Sequence, residues 1–265
     1  VETGRAAREQ RRWSAWADRL SDTDQQRAAS YVLMQSAPMG CALGATFHGL
    51  TAPGVFEEPM QLRAMALLAD DVGAGIAEQS RAHAFQQLAR RYVDGGVAGA
   101  PHEVAQDRRV NDQMFRLPGL LLALSRRSDA FSAELIGADH ALRKMGLFAP
   151  WSFAAAAFSA PDWSRLDMAK AQVAYSFSNG DTPLSVSRGI SQSISDSRDE
   201  PAKKLGSGAA LFSTLYADWS QTLFDLTVAH LDPRLSMALL LQAKAREASV
   251  YHEGFKLAGR SLRLW

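Results

Sequence analysis

Cysteine is almost missing from this chain. Cys41 is the sole one in 265 residues, which excludes an intrachain disulfide and any cysteine-rich zinc site. A lone thiol fits a reducing compartment, so a cytoplasmic location is the expectation. Long apolar runs are missing too: Leu117 to Leu124 and Trp151 to Phe158 stop far short of the roughly 18 residues of a membrane span. The opening Val-Glu-Thr-Gly carries no leader pattern, and no membrane partner is expected. Neither sign of charge dominates, with 29 Lys and Arg against 28 Asp and Glu. The basic pairs Arg11/Arg12, Arg90/Arg91, Arg108/Arg109, Arg126/Arg127 and Lys203/Lys204 are scattered, so no nucleic-acid footprint forms. The chain also lacks a Gly-x-Ser-x-Gly elbow, a phosphate-binding glycine loop and a dinucleotide fingerprint. Serine hydrolases of that type and nucleotide enzymes drop out.

Val and Ile runs at period two are absent, whereas Ala, Leu, Arg, Gln and Met fill long stretches. The reading is an all-α protein, a single compact helical bundle over residues 1–265 with about ten helices. Its 47% apolar content is enough for a substantial core without cross-links. A first helix is expected over 3–20, with Trp13, Trp16 and Leu20 on one face, and a second after Ser21-Asp22-Thr23, whose oxygens can cap it. Gly and Pro between Pro38 and Pro59 predict a loop-rich passage holding Cys41 and His48. Helix resumes near Glu58, breaks at Gly73 and Gly75, and runs on to Tyr92; others are expected over 103–113, 115–127 and 129–146. Pro161, Pro183 and Pro233 each open a further helix. The polar stretch 195–207 reads as an exposed loop, followed by long helices over 208–230 and 233–257.

A dinuclear iron site in a helical bundle needs His and carboxylate side chains projected inward, commonly as a carboxylate and a His three or four residues apart. None of His48, His83, His102, His140, His230 and His252 has an Asp or Glu at that spacing. Glu78 with His83, Asp225 with His230 and Glu247 with His252 are each five apart, which turns the side chains away from each other. Asp70-Asp71 could hold magnesium for a diphosphate, but Ala74 stands where a third carboxylate is wanted. Cys41 and His48 form a candidate thiolate and base with nothing to fix their geometry.

Three segments together resemble the iron-containing, heme-oxygenase-like oxidases. They are Asp70-Asp71-Val72-Gly73-Ala74-Gly75 running on to His83, Phe131 to Ala138 around Glu134, and Tyr175 to Ile190. The resemblance implies a heme-oxygenase-like bundle in which Asp71, His83 and Glu134 bind iron and O2 is the co-substrate. It implies an oxidase or oxygenase acting on a small amino-acid-like or acyl substrate in specialised biosynthesis. At two further ligand positions, expected to be Asp and His, stand Ser178 and Leu184. Those departures imply altered metal chemistry, or a non-catalytic member that binds an apolar ligand or serves as a helical partner; a homodimer or protein partner stays open. Asp225, His230, His252 and Glu253 are the reserve from which ligands could otherwise be drawn.

Overall fold

The computed structural model describes residues 2–51, 59–97, 99–172, 180–196 and 200–232, with isolated positions beyond. Its architecture is all-α. The helices are α1 (Glu2–Ala17), α2 (Asp22–Gln35), α3 (Ala37–Ala42), α4 (Pro59–Asp71), α5 (Arg81–Tyr92), α6 (Pro101–Gln106), α7 (Arg116–Arg126), α8 (Ser128–Met145), α9 (Ala149–Ala157), α10 (Pro183–Asp196) and α11 (Glu200–Leu231). The strand content of the described residues is one two-residue antiparallel pair, Lys256–Leu257 with Arg260–Ser261. No helix among the described residues is long and apolar enough to cross a membrane.

Local chemistry explains the boundaries. Ser21 Oγ accepts the Asp24 N–H at 3.2 Å and starts α2, and Ser80 Oγ accepts the His83 N–H at 3.1 Å and starts α5. Gly146, at φ 60°, closes α8. Trp13 is fully buried, with the Phe153 ring 5.2 Å and the Phe224 ring 5.0 Å away, so α1 docks through the face its aromatic spacing predicts.

At the centre, α8 packs along α11. A Cβ at Gly137 would stand 2.0 Å from the Leu205 carbonyl oxygen, and one at Gly208 would stand 1.9 Å from that of Glu134. Two backbones meet there, and only glycine fits.

This contact also corrects the expected loop over 195–207. Ser195 and Asp196 end α10, residues 200–207 form the first turns of α11, and 197–199 lie outside the described residues. Pro201 suits a first helical turn, Ala202, Lys203, Lys204 and Leu205 are strong helix formers, and Leu205 packs against the core just ahead of the Gly208 contact. Within the expected helix over 103–113, α6 ends at Gln106 and a separate 3-10 turn, Asp112–Phe115, follows. Part of the expected loop after Pro38 is helical as α3. Most of the expected helix over 233–257 lies outside the described residues.

Candidate functional site

The carboxylates singled out at the end of α4 enter a buried network of charges. Gly73, Ala74 and Gly75 all have positive φ (77°, 50° and 89°) and reverse the chain after α4. That reversal brings Arg81, in the first turn of α5, back onto Asp70 and Asp71. Arg81 Nε donates to Asp71 Oδ1 at 2.6 Å and Nη2 to Asp70 Oδ2 at 3.2 Å. The remaining N–H groups of the guanidinium reach the carbonyls of Arg165 and Asp167, both at 2.8 Å, and of Lys170 at 2.7 Å. All five donors of the fork are used. Asp70 Oδ1 accepts the Gln172 backbone N–H at 2.7 Å, which ties the 165–172 segment to α4.

From α8, Arg143 grips Asp71 with both terminal nitrogens, at 2.6 Å to Oδ2 and 3.3 Å to Oδ1. Its Nε donates to Asp139 Oδ2 at 2.8 Å, one helical turn away. Ser187 Oγ on α10 donates to the same oxygen at 3.2 Å and lies 3.4 Å from His140 Nδ1. Serine, not histidine, touches the carboxylate, so these three groups do not make a catalytic triad.

Burial pushes the Asp71 carboxyl up, but the charges of Arg143 and Arg81 and their hydrogen bonds outweigh it and hold Asp71 below the usual carboxylate range. Asp139 goes the other way: burial raises it, Arg143 only partly offsets that, and the Asp71 charge raises it further. The opposition has a simple cause. Arg143 is shared, and Asp71 takes its two-pronged grip.

The sign of the resulting pH dependence follows. With Asp139 raised, the folded protein holds a proton that the unfolded chain releases at lower pH, so stability falls as pH rises from the ordinary carboxylate range through the raised value. Asp139→Asn keeps the shape and removes the ionisation. It is expected to cost only about 1 kcal/mol and to flatten this decline in urea-unfolding series between about pH 4 and pH 8. An unchanged slope in the variant would refute the assignment.

The expected iron ligands are not brought together. Both Asp71 oxygens already accept guanidinium N–H groups. His83 Nε2 lies 2.9 Å from the Gln87 amide nitrogen on its own helix, and Glu134 lies on α8 where it crosses α11, its Oε2 buried with no hydrogen-bond partner among the described residues. Among the described residues, no three His, Cys, Asp or Glu side chains converge to hold a metal ion. In this arrangement Asp70 and Asp71 pair with Arg81, and Asp71 also with Arg143. Leu184 lies on α10; Ser178, His252 and Glu253 are outside the described residues. Of the reserve, His230 stacks on Tyr31 at 4.1 Å and Asp225 accepts from Gln221 at 2.9 Å.

A different feature has the shape of a binding site. Between α3, α6 and α7 lies a cavity of about 380 Å³. Pro38, Cys41 and Ala45 enter it at helical spacing from α3 and the turn after it, Pro101 and Val104 from α6, and Pro118, Gly119 and Leu122 from α7, with Phe115 just before. Among the described residues, no charged side chain lines it. Burial pushes the Cys41 thiol up, so at neutral pH it is an uncharged wall group rather than a nucleophile. His48 is exposed in the 3-10 turn His48–Thr51, so the proposed base is not a buried partner for it. A Cβ at Gly119 would meet nothing within 4 Å, so that position faces open space.

Comparison with protein families, with curated proteins and with solved structures finds no match.

Proposed function

We propose that this chain binds a small, neutral, apolar molecule in the cavity between α3, α6 and α7. The observation that carries this reading is a recess of about 380 Å³, within the usual range of small-molecule sites, with no charged side chain among the described residues of its wall. An ionised ligand group placed there would lose its hydration with nothing to replace it, which selects against acids and amines. Apolar surface removed from water contributes about 25 cal/mol per Å², so affinity comes from fit to Val104, Phe115 and Leu122. The oxygen-activating iron chemistry implied by the family resemblance draws no support from the placement of Asp71, His83 and Glu134.

Decanol is a suitable neutral probe, followed by its displacement of a solvatochromic dye. Saturable one-site binding to the native chain is expected. Gly119→Leu fills the recess from within α7, and Leu exceeds Gly in helix propensity by up to about 1 kcal/mol. The variant should therefore melt no lower than the native chain while binding decanol at least ten-fold more weakly. Failure of decanol to bind saturably, or equal binding by Gly119→Leu, would overturn the proposal.

A further inference from the structure

A second cavity, of about 440 Å³, opens where α2 meets the ends of α5, α9 and α11. Among the described residues, Thr23, Arg27 and Ser30 line it from one face of α2, Arg91 and Asp94 from the end of α5, and His230 from the last turn of α11. Arginine outnumbers carboxylate in this wall, with Arg27 and Arg91 against Asp94. Hydrogen-bond donors dominate as well, since two guanidiniums and two hydroxyls answer one carboxylate.

Both arginines keep donors to spare. The Arg91 guanidinium carbon lies 5.3 Å from the Tyr92 ring centroid, and Phe158 also stacks on that ring, at 4.1 Å. A ring contact of this kind restrains a guanidinium while leaving its in-plane N–H groups for a ligand. Arg27 gives one N–H to Asp24 at 3.2 Å, with 55% and 41% of the two side chains exposed, so that pair is readily shared with a competing anion.

The surroundings of His230 report the same sign of charge. Partial burial, followed by the charge of Arg27, pushes its pKa down, and the carboxylates of Asp24 and Asp94 do not reverse that effect. The ring is therefore neutral at pH 7. Its other titratable neighbours are Tyr31, stacked on it at 4.1 Å and uncharged because burial pushes the phenol up, and Arg91 across the cleft. Asp232, two residues on, has its Oδ1 taken by the Arg234 and Leu235 N–H groups.

We infer that this cleft binds a small organic phosphate, its phosphoryl group held between Arg27 and Arg91 and hydrogen-bonded by Thr23 and Ser30. Three terminal oxygens can take guanidinium forks from two sides, whereas one fork already fills the two oxygens of a carboxylate. A volume of about 440 Å³ leaves room for an organic portion beside the phosphate. The site is separate from the apolar cavity in position and in chemistry, so either can fail without the other.

The test is calorimetric titration with inorganic phosphate, glycerol 3-phosphate and succinate, together with NMR titration of the His230 ring. One-site binding of glycerol 3-phosphate is expected with a dissociation constant of about 1 mM or tighter, weakened several-fold when NaCl rises from about 0.05 M to about 0.5 M. Arg27→Gln, Arg91→Gln and Asp94→Asn alter exposed side chains, so all three variants should fold normally. Each arginine variant should weaken binding at least five-fold, and Asp94→Asn, which removes the opposing charge, should tighten it. In the native chain, bound phosphate should make the His230 ring titrate at higher pH, because a nearby anion favours the imidazolium. The inference is overturned if neither phosphate binds saturably, if succinate binds more tightly than glycerol 3-phosphate, if the arginine variants bind like the native chain, or if binding leaves the His230 titration where it was.

Discussion

Asp71→Asn is expected to destabilise the protein by roughly 3–5 kcal/mol, the usual cost of removing one partner from a buried ion pair. Asp71 is 3% exposed, and the guanidiniums it answers, Arg81 and Arg143, are both at 0%. The substitution removes the anion between two cations that cannot deprotonate, and it turns an amide N–H₂ toward groups that only donate. For a chain of this size each kcal/mol moves the melting temperature by about 2–4 °C, so a drop on the order of 10 °C is expected. Because Asp71 sits below the usual carboxylate range, its contribution is present at neutral pH and disappears as pH falls through its folded-state pKa. The gap between native and Asp71→Asn melting temperatures should therefore close in acid. A variant that melts within 2 °C of the native chain at pH 7, on that same scale, would show that the network is not ionised as described.

Arg81→Lys should be nearly as damaging although it keeps the charge. An ammonium has three donors and no planar fork, so it cannot serve Asp70, Asp71 and the carbonyls of Arg165, Asp167 and Lys170 together. At least two buried acceptors are left unsatisfied, at about 1–3 kcal/mol each. The loss has a location. The 165–172 segment is held to α4 through Arg81 and through the Gln172 N–H on Asp70, so amide exchange at Gln172 should accelerate well beyond the global change in stability. Unchanged protection at Gln172 would contradict this account.

The helical architecture was legible because its signals are local. Ser21 ahead of α2, Gly146 after α8 and the Trp13/Trp16 spacing in α1 each act within a few residues, and each appears where that chemistry places it. The start of α11 was not legible, because Gly208 docks by permitting backbone contact with Glu134, and a missing side chain leaves no hydrophobic pattern to read.

The same limit applied to the sites. Asp70-Asp71 stood out as a carboxylate pair, yet their partner Arg81 lies beyond the Gly73 to Gly75 turn and becomes a neighbour only once that turn reverses the chain. Asp139 and Arg143, at i and i+4 on one helix, were the visible clue that a buried carboxylate here pairs with arginine. The apolar cavity joins residues from α3, α6 and α7 that are far apart in sequence, and no one segment betrays it. The polar cleft likewise needs four helices to close it.

The cavity reading is tested most directly by amide chemical shifts during a decanol titration of the native chain. Saturable shifts concentrated at Cys41, Val104 and Gly119, and lost in Gly119→Leu, are the predicted result. Shifts that never saturate, or that map away from α3, α6 and α7, would contradict it.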